Sequence, residues 1–102
     1  MPRIGLRLDT GPQVDPGQLL ELVRLAEDRG YESIWVPEGN GRDAMSQLTA
    51  FAAATTRISV GTGILPVFTR TPTLLAMSAG GLDAISQKRF ILGLGVGHKA
   101  SV

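Results

Sequence analysis

The sequence predicts an α/β protein built from parallel β/α units, and three observations carry that prediction. Four short runs of β-forming residues, Ile4 to Leu8, Ser33 to Pro37, Ile58 to Gly63 and Phe90 to Gly95, each run out into glycine, proline or an acid. Amphipathic helical patterns separate them. The runs begin at residues 4, 33, 58 and 90, so their starts lie 29, 25 and 32 residues apart, close to the roughly 30 residues of a β/α unit. In parallel sheets and barrels of this kind, ligands bind just past the carboxyl ends of the strands. Those ends are where chemistry is to be sought.

The first strand, Arg3 to Leu8, delivers Asp9-Thr10-Gly11-Pro12 into a turn. Asp15 then caps a helix, Pro16 stands at its first position and Gln18 completes a capping box. Leu19, Leu22, Val23 and Ala26 recur at helical spacing as the buried stripe, Glu21, Arg24, Glu27 and Asp28 point outward, and Gly30 ends the helix in a left-handed cap. Tyr31 to Val36 reads as the second strand from its aromatic and β-branched content, stopped by Pro37. Asp43 caps a second helix running through Thr55, with Leu48, Phe51 and Ala52 inward.

Arg57 to Gly63 is the third strand. Thr71-Pro72 repeats the cap-plus-proline device and opens a third helix with Leu74, Leu75, Ser78, Leu82 and Ile85 near its inner face. Gly80-Gly81 inside it costs roughly 1 kcal/mol per glycine relative to alanine, so either another backbone packs closely there or the helix is soft. Arg89 to Leu94, nearly all apolar, reads as a fully buried parallel strand. Nothing resembling a linker interrupts residues 1–102, which read as a single unit. Four units make an open sheet or half of a barrel, and the stop soon after the fourth strand suggests truncation of a longer (β/α)8 protein.

Composition narrows the function. The 102 residues are 43% hydrophobic, as suits a soluble globular chain, and ten basic side chains against nine acidic give a net charge of +1 with no basic stripe. Nucleic acid is not an obvious partner. The absence of cysteine excludes disulfides, thiolate metal sites and thiol catalysis, and a single histidine makes no metal cluster. No signal-peptide core or membrane-length apolar run is present, so a cytoplasmic setting is expected.

Four places at the strand ends hold candidate chemistry. Gly93-Leu94-Gly95-Val96-Gly97 resembles a dinucleotide-binding loop, but its spacing is GxGxG rather than GxGxxG and it closes the fourth strand rather than the first. Its glycines serve either a sharp turn or the close approach of a flat ligand to the backbone. Gly61-Thr62-Gly63-Ile64-Leu65-Pro66 offers the same choice. Pro37-Glu38-Gly39-Asn40-Gly41-Arg42-Asp43 puts an acid directly after the second strand, where it is either a solvated surface group or functional. His98, after the fourth strand, is a solvated terminus or, in a parallel sheet, a fourth member of the same mouth.

Gly30-Tyr31-Glu32-Ser33-Ile34-Trp35-Val36-Pro37-Glu38-Gly39, Arg57 to Leu65, and Leu82-Asp83-Ala84-Ile85-Ser86 leading into Arg89 to Gly97 together resemble the bacterial luciferase-like monooxygenase superfamily, in order and with its spacing. The resemblance implies the first four units of a (β/α)8 TIM barrel that uses FMN or the deazaflavin coenzyme F420. Trp35 to Ala44 and Gly95 to Ala100 are most similar to the F420-dependent oxidoreductases, including the methylenetetrahydromethanopterin reductase branch. Family members often carry Asp-His after strand two; Glu38-Gly39 stands there instead, so the histidine is missing and proton handling falls to Glu38. The resemblance also implies a non-prolyl cis peptide at Gly63-Ile64, in a bulge that backs the coenzyme ring.

These readings make Glu38 the candidate catalytic residue and Gly39, Thr62, Gly63, Ile64, Gly95, Val96, Gly97 and His98 the candidate coenzyme contacts, with no metal. The expected reaction is hydride transfer between F420 and a small organic substrate. An FMN monooxygenase is the alternative within the family, and a non-catalytic half-barrel that pairs with another chain is the alternative outside it. As a half-barrel the chain is expected to be inactive alone and to self-associate through its open edges as a homo-oligomer.

Overall fold

A computed structural model describes residues 3–8, 13–38 and 42–96. In chain order the elements are β1 (Gly5–Arg7), α1 (Pro16–Asp28), β2 (Ser33–Val36), α2 (Ala44–Ala53), β3 (Ser59–Thr62), β4 (Leu65–Pro66), α3 (Pro72–Ile85), β5 (Phe90–Ile91) and β6 (Leu94–Gly95). The strands β1, β2, β3 and β5 lie side by side in that order, all parallel, and β4 pairs with β6, also parallel. The fold matches the expected α/β series of units, with the third and fourth strands each split in two.

Alternation along the strands separates two faces. Leu8, Ile34, Val36, Val60 and Thr62 are almost wholly buried and pack towards the helices, against Leu19, Val23 and Ala26 of α1, Leu48, Phe51 and Ala52 of α2, and Leu82 of α3. The opposite face carries Gly5, Ser33, Trp35, Gly61 and Ile91, which the register sets in neighbouring rows. Trp35 lies across this face over Gly5 and Gly61, where the lack of a Cβ leaves room for the indole. A Cβ on Gly61 would stand 2.5 Å from Cζ3 of the indole, and one on Gly5 2.8 Å from Nε1. The indole N–H donates to Ser33 Oγ at 2.8 Å.

Helix starts follow the sequence. Asp15 accepts from the Gln18 N–H at 3.0 Å, Asp43 from Ser46 at 2.9 Å, and Thr71 from Leu74 at 3.1 Å. Each cap satisfies an otherwise orphaned amide. Gly30, with φ 85°, takes the left-handed conformation foreseen for it. The end of α3 was not foreseen, since Gln87 (φ 55°) and Lys88 (φ 67°) turn left-handed without glycine. Their N–H groups close the helix on Ala84 and Asp83 carbonyls, a Schellman-like termination that overrides the steric preference.

Burial departs from expectation in three places. Leu22, Leu74 and Ile85 are exposed rather than inward. The fourth strand is not buried on both faces: Ile91, Leu92 and Leu94 are exposed because β5 and β6 form the outer edge of the described sheet. Apart from the helix's own neighbouring backbone, no described atom lies within 4 Å of where a Cβ would stand on Gly80 or Gly81, yet α3 continues unbroken through both. Close backbone packing is therefore not what these glycines serve among the described residues. No described helix is long and apolar enough to cross a membrane.

Candidate active site at the strand ends

Two neighbouring strands break at the same level. Gly63 and Ile64 separate β3 from β4, while Leu92 and Gly93 separate β5 from β6. Hydrogen bonds nevertheless run across the gap, from Gly63 N–H to the Val36 carbonyl (2.9 Å), Glu38 N–H to the Ile64 carbonyl (3.1 Å) and Leu65 N–H to the Gly93 carbonyl (2.9 Å). The Thr62 hydroxyl fills the ladder: it accepts from Gly93 N–H at 2.6 Å and donates to the Gly93 carbonyl at 2.8 Å. Only glycine fits opposite it, because a Cβ on Gly93 would lie 2.7 Å from the Thr62 carbonyl oxygen.

The peptide between Gly63 and Ile64 is trans, as is every described peptide bond. This corrects the expected cis bond. The interruption of β3 before β4 is present without it: between the pairs Gly61–Ile91 and Leu65–Leu94 the β3 side advances four residues and the β5 side three, so one extra residue is accommodated there.

The break brings together Glu38, Gly63, Ile64 and Gly95. Gly63 is exposed and faces Pro37, whose ring and backbone would lie 3.2–3.4 Å from an added Cβ. Ile64 is half exposed, and its Cγ2 fills the space where a Gly95 side chain would be. Val96 follows, well exposed. Thr62 differs from the others, since its fully buried side chain reaches Gly93 and shapes the strands rather than lining the mouth. Gly39, Gly97 and His98 lie outside the described residues. No cluster of three potential metal ligands occurs among the described residues.

Sequence reasoning did not single out Arg70, which dominates the polar side of the mouth. Its Nη1 lies 2.7 Å from Glu38 Oε2 and its Nη2 2.8 Å from Oε1, a two-pronged pair, and Nη2 also reaches Asp43 Oδ1. Glu38 Oε1 accepts the Ala44 N–H at 2.8 Å, at the start of α2. Burial pushes the Glu38 carboxyl up, but the Arg70 hydrogen bonds, the Ala44 amide and the Arg70 charge outweigh it, leaving it below the usual carboxylate range. Glu38 is thus a charged group held in place near neutral pH. A basic residue beside one strand end, facing an acid beside the next, was the available signal. Nothing in the spacing of Glu38 and Arg70 showed that they would meet.

The sequence pattern of the luciferase-like monooxygenases matches residues 1–102. The chain belongs to that family. A 5,10-methylenetetrahydromethanopterin reductase of Methanolobus tindarius is 39% identical over 85 residues, which is 82% of this chain and 26% of the relative. The coenzyme F420-dependent tetrahydromethanopterin reductase of Methanopyrus kandleri superposes with a TM-score of 0.87 at 36% identity, over 97% of this chain and 28% of that one. The oxygenating constituent of 3,6-diketocamphane monooxygenase from Pseudomonas putida, solved with FMN, superposes at 0.84 over 94% of this chain and 30% of its own, with 20% identity. That last likeness speaks to the fold alone. The luciferase-like chain spans under a third of the length of each of these relatives.

Proposed function

We propose that this luciferase-like chain supplies the first units of the catalytic barrel of a coenzyme F420-dependent oxidoreductase acting on a small organic substrate. The observation that carries the reading is the exposed Gly63-Ile64 break at the strand ends, beside a fixed carboxylate, in a chain similar to a reductase named as F420-dependent. These residues fit a flat ring. Gly63 presents backbone without a side chain, and Ile64 presents an apolar surface that Gly95 supports from behind. When bound, the deazaflavin supplies hydride transfer. Glu38 holds a negative charge at the edge of the mouth, and a proton reaches its carboxylate only by competing with Arg70 and the Ala44 amide.

Gly39, Gly97 and His98 are carried in this proposal from sequence alone, and Thr62 enters it as the residue that keeps the break in shape. A cytoplasmic setting and a homo-oligomer belong to the same reading. FMN in the same cradle is the second reading, which the resemblance to the luciferase-like family leaves open. Titrating the 102-residue chain with F420 and with FMN, following backbone amide shifts by NMR, separates the two. Shifts centred on Gly63, Ile64 and Gly95 that saturate at lower F420 than FMN are expected. Tighter FMN binding would favour the second reading, and no shift at these residues with either would overturn the site.

A further inference from the structure

We propose that Arg70 is the positioning residue of this mouth: by bridging Glu38 and Asp43 it fixes the end of β2 to the start of α2 and to the turn before α3, and so sets where the Glu38 carboxylate stands. The clamp rests on geometry, while its consequence for the coenzyme rests on the oxidoreductase reading.

Three segments meet at one guanidinium. From the β2 end comes Glu38, its side chain 6% exposed against 11% for Arg70. From α2 come Asp43 and the Ala44 amide, and from the β4–α3 turn comes Thr69, whose hydroxyl lies 3.0 Å from Arg70 Nη1 and 3.4 Å from Glu38 Oε2. Thr69 is itself tied to the Pro66 carbonyl at 3.0 Å, so the turn that carries Arg70 is anchored on β4. Arg42 points elsewhere, donating to the Val14 carbonyl at 2.6 Å.

The chemistry requires arginine. Two carboxylates share one positive charge, and the planar fork meets both oxygens of Glu38 while one of its nitrogens also reaches Asp43. The remaining negative charge sits at the amino end of α2, whose amides at Ala44 and Ser46 donate to Glu38 and Asp43 respectively and whose dipole favours it. Lysine, a point charge, spans this arrangement less well. Because the pair is largely removed from water, losing Arg70 leaves Glu38 with a buried charge held by the Ala44 amide and the longer Thr69 hydroxyl contact, and the group answers by taking up a proton. Glu38 N–H donates to the Ile64 carbonyl, so a shift of Glu38 is felt directly at the break.

The test follows the Glu38 side-chain carboxyl carbon by NMR through a pH titration of wild type, Arg70→Lys, Arg70→Ala and Asp43→Asn, with F420 added as a probe. Arg70→Ala is expected to raise the Glu38 midpoint by about one pH unit or more, and Arg70→Lys by less. Asp43→Asn removes a neighbouring like charge and is expected to lower it. In Arg70→Ala the F420-induced shifts at Ile64 are expected to need on the order of tenfold more coenzyme, with partial recovery in Arg70→Lys.

A Glu38 midpoint that ignores Arg70 would overturn the inference, as would a moved midpoint with wild-type response to F420. Should Arg70→Ala fail to fold, the opposite signs expected of Arg70→Lys and Asp43→Asn decide the matter. Should wild type show no response to F420, the oxidoreductase reading fails by itself. The clamp then stands or falls on the Glu38 midpoint and on whether Ile64 resonances move in Arg70→Lys.

Discussion

Glu27 gathers three successive backbone N–H groups, those of Thr56 (3.0 Å), Arg57 (2.7 Å) and Ile58 (2.9 Å), where the chain enters β3. Burial pushes its carboxyl up, yet the three amides and the Arg57 charge bring it below the usual range. A carboxyl depressed in the folded state stabilises fully above its unfolded value near 4.3 and loses that contribution as pH falls through the folded one. Glu27→Ala is expected to cost about 1–2 kcal/mol at neutral pH by urea unfolding, with a smaller penalty below pH 4; an equal penalty at both would contradict this. Helical periodicity placed Glu27 on the outward face, which is correct for its Cα. Periodicity is silent about a long side chain reaching a neighbouring loop. Arg89 was illegible for the same reason: its guanidinium donates to carbonyls of Ser86, Ala52, Thr55 and Ile58, gathering the end of α2 and the entry to β3 beneath the sheet.

At the level of elements, caps and strand order were readable because they depend on local chemistry. Asp15-Pro16, Asp43 and Thr71-Pro72 mark helix starts by residue type alone. The splitting of the third and fourth strands was only half readable, as glycines and an expected bulge, since the bond that completes it comes from Thr62 to a residue thirty-one positions away. Thr62→Val keeps the volume and removes that bond, leaving the half-buried Gly93 N–H without its acceptor. A loss of about 1–3 kcal/mol is expected, with Thr62→Ser close to wild type; an unperturbed valine variant would show that the hydroxyl does not hold the break. In α3, Gly80→Ala and Gly81→Ala enter open space within a helix. Each is expected to stabilise by roughly 1 kcal/mol, and a destabilised variant would reveal a close contact at that face.

Among the described residues one face of the sheet is covered by helices and the other is bare. Helices cover the face of Ile34, Val36 and Val60, while the opposite face shows Trp35 and Ile91, the outer edge shows Leu92 and Leu94, and α3 shows Leu74, Met77 and Ile85. Exposed apolar surface of this extent favours association, and an unpaired strand edge offers a ladder to join. Sedimentation of residues 1–102 is expected to show dimers or larger species without oxidoreductase turnover; a stable, active monomer would contradict that expectation. The mouth itself is probed by intermolecular NOEs between F420 ring protons and side chains of the chain. Contacts from the ring to the Ile64 methyl groups are expected, whereas contacts confined to the helical side, or to α3, would rule out a coenzyme seat at the Gly63-Ile64 break.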